Sequence, residues 1–186
     1  MALHDVTPEM RWQAALVYWR LGPVATRSIP GIVDSISDDR SLSDAVVLLQ
    51  TMGASIGESG PALIAALGHP NPYARRWAAM ALERPGADPP AALPALVLAG
   101  KSGDVDLKIT VMHALGALGP DAAPAVPFLA DALADPAEGS RMVAALTLAR
   151  IGPAARAARQ ALLANLQDPS GHVRQAVADA LQSIGP

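Results

Sequence analysis

Near the carboxyl end of the chain, apolar residues follow a helical period twice, with a break between. From Pro153 to about Gln167 alanines and leucines recur at helical spacing. Asp168-Pro169-Ser170-Gly171 then interrupts, and Val173 to Ile184 forms a second amphipathic stretch in which Val177, Leu181 and Ile184 share a face. This predicts helix, turn, helix, here termed helix A and helix B. The pattern returns at fixed intervals: Gly53, Gly86, Gly119, Gly152 and Gly185 stand 33 residues apart, and Gly22 precedes Gly53 by 31. Proline follows directly at Gly22, Gly119, Gly152 and Gly185. Glycine tolerates a left-handed cap and proline cannot continue the hydrogen-bond ladder, so each pair stops a helix. A second series, Pro30, Pro61, Pro94 and Pro127, falls eight residues after each stop, with Gln160 in the fifth place.

Internal repetition on this period predicts an array of helical hairpins. The chain opens with an unpaired B-type helix over 7–22, with Thr7 as N-cap and Pro8 at the first helical position. Five repeats follow over 23–53, 54–86, 87–119, 120–152 and 153–185, giving about eleven helices in one domain spanning 1–186. No segment carries the alternation or β-branched enrichment of strands. The breaks at His69-Pro70-Asn71-Pro72, Ser102-Gly103-Asp104 and Asp135-Pro136 supply Asp, Ser or Asn suited to N-capping helix B.

Stepping back by 33, and by 31 for the first helix, lines the B helices up in columns. The column of Val177 reads Ala14, Ala45, Ala78, Val111, Ala144, Val177; that of Leu181 reads Tyr18, Leu49, Leu82, Leu115, Leu148, Leu181; that of Ile184 reads Leu21, Met52, Pro85, Leu118, Ile151, Ile184. At 100° per residue these three lie on one narrow face and form the core stripe. Small residues in the first column predict closely packed helices. Pro85 ends its helix B early.

The composition agrees with a folded, alanine- and leucine-filled chain: 51% hydrophobic, 17% charged and 3% aromatic residues. A net charge of −3 gives no general attraction to nucleic acid or to an anionic membrane. Without cysteine there is no disulfide, thiol nucleophile or thiolate metal ligand. The start Met1-Ala2-Leu3-His4-Asp5 lacks the features of a signal peptide, and no stretch approaches roughly 18 apolar residues, so a cytoplasmic location is expected.

The recurring residues, seen whole as Asp168-Pro169, Val173-Arg174, Ala176, Ala180-Leu181 and Ile184-Gly185, resemble short HEAT-like repeats of the kind also found in phycobilisome lyases. The likeness runs from about Thr7 to the end. It implies an all-α, right-handed α-solenoid whose B helices line the concave surface, and a scaffold more often than an enzyme. It also implies a role for the column Arg11, Leu42, Arg75, Lys108, Arg141, Arg174: bonding an acidic side chain or a carbonyl of a neighbouring repeat, with Asp135 and Asp168 at hand. Leu42 departs from that column. A ladder of cations also suits a phosphate backbone, but the acidic total charge and the lack of interleaved aromatics favour the structural role.

Opposite the core stripe, the columns of 175, 179 and 182 are expected to face solvent on the concave side. They read Trp12/Leu16/Trp19, Ser43/Val47/Gln50, Arg76/Met80/Glu83, Ile109/His113/Gly116, Met142/Leu146/Ala149 and Gln175/Asp179/Gln182. Large apolar residues on a solvent-facing stripe mark a binding surface, and methionines suit an adaptable one. The polar last triple reads as a solubilising cap.

The expected function is therefore a protein-interaction scaffold that binds an apolar protein or peptide segment through Trp12, Leu16, Trp19, Arg76, Met80, Glu83, Ile109, His113, Met142 and Leu146. The alternative is a binder of an apolar small molecule, or an enzyme of the lyase or cyclase type, with a pocket around His113 in which Glu83 serves as the carboxylate partner. No two histidines have metal-ligand spacing, and no phosphate loop, nucleophile elbow or zinc motif is present, so neither metal nor cofactor is expected. Asp104-Val105-Asp106 and Asp38-Asp39 fall at B-helix starts, where acids favour the helix dipole.

Overall fold

Helix B is the constant element of the repeat. In the computed structural model, which describes residues 29–36, 60–83 and 89–185, every regular element among the described residues is helical and none is a strand. The chain divides into two units, Met1–Asp88 and Pro89–Pro186.

In the first unit, α1 (Ile29–Ser35) and α2 (Gly60–Ala66) are A-type segments and α3 (Pro72–Leu82) is a helix B. Asn71 caps α3 by accepting from the Tyr73 amide at 2.9 Å, and its Nδ2 donates to the Ile36 carbonyl at 2.6 Å, tying the start of α3 to the end of α1. The core there is Ile32, Ile36, Leu63, Trp77, Ala78 and Leu82, all fully buried. Helix α3 has 11 residues against 14 in each B helix of the second unit, as Pro85 requires.

The second unit runs α4 (Pro89–Gly100), α5 (Val105–Leu118), α6 (Val126–Ala132), α7 (Glu138–Ile151), α8 (Arg159–Ala164) and α9 (Gly171–Ile184), with α5, α7 and α9 as its B helices. Gly119, Gly152 and Gly185 follow these three helices at the positive φ the sequence predicts, 59°, 69° and 79°, but their ψ values of −134°, −141° and −177° place them outside the expected left-handed helical cap, in a region that glycine alone occupies readily. Gly22, Gly53 and Gly86 lie outside the described residues. Most of the core columns close as expected in this unit, with Val111, Ala144, Val177, Leu115, Leu148, Ile151 and Ile184 buried, but Leu118 and Leu181 are only half-buried.

Two local expectations are corrected. Helix A is not one α-helix from the proline onward. In the fourth and fifth repeats it begins as a 3-10 helix, Gly119–Ala125 and Gly152–Ala158, and only then continues as the short α6 and α8. Ala122 and Ala125, and again Ala155 and Ala158, are buried. Their spacing of three is the 3-10 period, so small side chains on that register let the tight turn press into the core. Likewise, Asp135 is not the N-cap of its helix B: Ala137 holds that position without a side-chain cap. Asp135 accepts from the Ala137 amide at 2.9 Å, and Asp168 from the Ser170 amide at 2.8 Å, each bracing the turn two residues ahead. Capping by Asn71, Asp104 and Ser170 does occur.

The basic column forms a set of clasps. Arg141 reaches forward to Asp168 with Nε at 2.7 Å and Nη2 at 3.1 Å, and backward with Nη1 to the carbonyls of Asp135 and Pro136, both at 3.0 Å. Lys108 pairs with Asp135 in the same forward direction. Arg75 and Arg174 hold the carbonyls of their own turns, His69 and Pro70 for one and Asp168 and Pro169 for the other. Lys108 and Arg141 thus bond across repeat joints, whereas Arg75 and Arg174 brace their own turns, in line with the structural role that the resemblance implies.

Candidate binding surface

The stripe opposite the core is built by α5, α7 and α9 in the second unit. Its middle column is the most open: His113, Leu146 and Asp179 are all exposed, one per helix. The column before it is partly covered, with Ile109 and Met142 half-buried, while Gln175 on the last helix is exposed. The cause is visible at Ile109, whose Cδ1 lies 3.5 Å from where a Cβ on Gly139 of α7 would stand. Helix α5 thus leans Ile109 onto the start of α7. Gln175 Nε2 donates to Asp179 Oδ1 at 2.9 Å, and both remain in solvent.

The column after it is graded. Gly116 is buried, Ala149 half-buried and Gln182 exposed. A Cβ on Gly116 would meet Arg150 Cδ at 3.2 Å and Thr147 Oγ1 at 3.6 Å, so α7 approaches α5 closely here, and Thr147 Oγ1 donates to the Met112 carbonyl at 3.0 Å. Arg150 thus lies over a glycine where the stripe was expected to be bare. The solvent-facing stripe is narrower than its spacing implies. In this unit it is a line of His113, Leu146 and Asp179, shouldered by Ile109 and Met142 and crossed by Arg150.

In the first unit, Arg76 and Met80 are half-buried on α3, and Glu83 is exposed at its C-cap. Trp12, Leu16 and Trp19 lie outside the described residues. His113 is exposed, and within its own unit no side chain hydrogen-bonds to the imidazole, so nothing there fixes a tautomer for acid-base work.

One edge of the surface carries a charged cluster that the columns did not single out. Glu138 accepts from Ser170 Oγ at 2.6 Å and lies 3.5 Å from His172 Nδ1. The Ser170 hydroxyl and then His172 hold its carboxyl below its ordinary range. The residues come from two consecutive B-helix starts, one repeat apart, and only alignment of those starts reveals them. Another missed feature is Leu98 on α4, 74% exposed. It sits on a helix A, outside the B-helix columns.

Stacked helical hairpins, clasped by Lys108–Asp135 and Arg141–Asp168 at two joints of the second unit, define a helical-repeat protein of the α-solenoid class. A family profile described as HEAT repeats matches residues 60–149 and 126–186, together well over half of the chain, and the chain belongs to that family. No curated protein matches. Among solved structures, the crystal structure of an engineered protein is similar, with a TM-score of 0.63 at 20% identity, over 98% of this chain and 93% of the other. That likeness concerns the fold.

Proposed function

We propose that this HEAT-repeat chain is an interaction scaffold and that an apolar segment of a protein partner binds along its B-helix stripe. The observation that carries the reading is Leu146, 39% exposed at the centre of α7 while its neighbours Ala145, Thr147 and Leu148 are buried. Repeat packing is satisfied without it, and a solvent-facing leucine flanked by half-buried Met142 and Ile109 is a ready contact for apolar side chains. Exposed Asp179 and Arg150 on either side give such a segment polar ends to meet. Within the first unit, Arg76, Met80 and Glu83 hold the equivalent stripe positions on α3 and are proposed to serve in the same way.

The test is partner capture by the intact chain against the double variant Met142→Ser, Leu146→Ser, with thermal melting in parallel. Loss of capture at an unchanged melting temperature supports the reading. A fall in melting temperature of many degrees means the stripe is core, and capture equal to wild type means the partner binds elsewhere.

A further inference from the structure

Glu138, Met142, Leu146 and Arg150 follow one another along α7 at steps of four. Residues at that spacing form a ridge inclined to the helix axis, and this one spans about 18 Å at 1.5 Å of rise per residue. Helix α7 packs between α5 and α9, and the two ends of the ridge lean to opposite borders. At its start Glu138 reaches α9, where its Oε1 accepts from the Ser170 hydroxyl and faces His172. At its far end the Arg150 side chain lies across Gly116 of α5, with Cδ 3.2 Å and Nη1 3.4 Å from where a Cβ would stand. Between these ends sit half-buried Met142 and exposed Leu146.

Both charged ends keep bonding capacity. Glu138 is exposed, and among the described residues nothing donates to its Oε2. Arg75, Arg141, Arg159 and Arg174 each hold a carbonyl or a carboxylate, whereas Arg150 is exposed and its guanidinium holds none among the described residues. Asp179 of α9 adds an exposed carboxylate on the border that Glu138 faces. The ridge is thus acidic toward α9, apolar in the middle and basic toward α5. A wholly apolar segment would leave both charges unanswered. A helix answers them when its acidic residue meets Arg150 and its basic residue meets Glu138. Helices carry acids best in the first turn and bases best in the last, so the occupant that satisfies both itself and the ridge runs antiparallel to α7.

We propose that the segment bound by the stripe is an amphipathic helix of a partner protein, lying antiparallel along this ridge. From its amino end it sets an acidic residue on Arg150, two large apolar residues on Leu146 and Met142, and a basic residue on Glu138. This rests on the scaffold reading above and adds the partner's secondary structure, direction and charge order. The charge order also gives specificity, because a helix with the same sign at both ends meets a like charge at one of them.

The experiment is fluorescence anisotropy on the intact chain and on Arg150→Glu, with thermal melting to check that the variant is folded. The probes are hydrocarbon-stapled helical peptides that present Glu, Leu, Leu and Lys in that order on one face at successive turns. Companion probes carry Lys at both ends, Glu at both ends, or Ser in place of both Leu. Wild type is expected to bind the mixed-charge probe at least about tenfold tighter than either same-charge probe, and Arg150→Glu to prefer the probe with Lys at both ends. A nitroxide at the amino end of the mixed probe should broaden amide signals near Gly152 and spare those near Glu138. Wild type that binds no probe or shows no charge preference, a variant that keeps the wild-type preference, or broadening near Glu138 overturns the proposal. If charge preference is absent but the Ser probe fails to bind, the scaffold reading stands without this addition; equal binding of the Ser and Leu probes removes both. A dimer of the chain alone that Arg150→Glu dissociates in sedimentation velocity makes a second copy the occupant, and also overturns the proposal.

Discussion

Arg141 and Asp168, 27 residues apart, form a two-point pair across a repeat joint, with Nε to Oδ2 at 2.7 Å and Nη2 to Oδ1 at 3.1 Å. The Asp168 side chain is only 4% exposed and also accepts the Ser170 amide. The hydrogen bonds from Arg141 hold its carboxyl below the usual aspartate range, and Asp168 in turn raises the arginine. One side chain therefore closes its own turn and fastens the next.

This pair predicts an acid limb in the stability profile. A carboxyl whose folded pKa is depressed contributes stability that is fully present above its unfolded value, near 3.8, and is lost as pH falls through the folded value. Asp135 adds in the same direction: burial opposes ionisation, but the bonds from Lys108 and the Ala137 amide outweigh it. Melting temperature should stay level from neutrality down to about pH 5 and then drop. Asp168→Asn should lower the neutral plateau and make the acid drop shallower. Thermal melts between neutral pH and the acid limb check both.

The glycine stops should be intolerant in proportion to their backbone. Gly152→Ala places a side chain at φ 69° and ψ −141° and is expected to cost roughly 1–3 kcal/mol. Gly171→Ala, in the first turn of α9 with the nearest atom Arg174 Nη2 at 3.5 Å, should be neutral or slightly stabilising. Equal effects in chemical denaturation would contradict this account of the ladder.

Close approach rather than φ governs Gly100. A Cβ there would stand 2.6 Å from Phe128 Cζ, in contact with a ring that is itself buried. Gly100→Ala should therefore destabilise by roughly 1–3 kcal/mol, the range for overpacking, and the near-ultraviolet circular dichroism should change.

Two leucines two positions apart on α7 should behave oppositely. Leu148→Ala removes a fully buried side chain and should cost about 2–5 kcal/mol. Leu146→Ala should stay within about 0.5–1 kcal/mol in urea unfolding. Thr147→Val, which deletes the 3.0 Å bond to the Met112 carbonyl while keeping the volume, falls between them at about 1 kcal/mol.

The repeat, its stops, its core columns and the joint role of the basic column were legible in the sequence. Each depends on a local property or on the period: glycine at a helix end, apolar residues at 100° steps, a charge paired one repeat away. The candidate surface was legible only in outline. Column reading put Ile109, His113 and Gly116 on one solvent-facing stripe, but the structure leaves His113 open, half-covers Ile109 and buries Gly116 under Arg150. A column states which way a side chain leaves its own helix; it holds no information on how far a neighbouring helix reaches over it.

By itself, the chain's sequence determined that it is an array of helical hairpins and which face of each helix B is shared, because a strict period leaves a single consistent register. Tertiary structure alone decided three further matters: the 3-10 opening of helix A, the bracing of turns by Asp135 and Asp168 instead of capping, and the burial of Gly116 beneath Arg150. Each of these turns on what the adjacent repeat presents in space, and that is a property of the packed joint, absent from any single repeat.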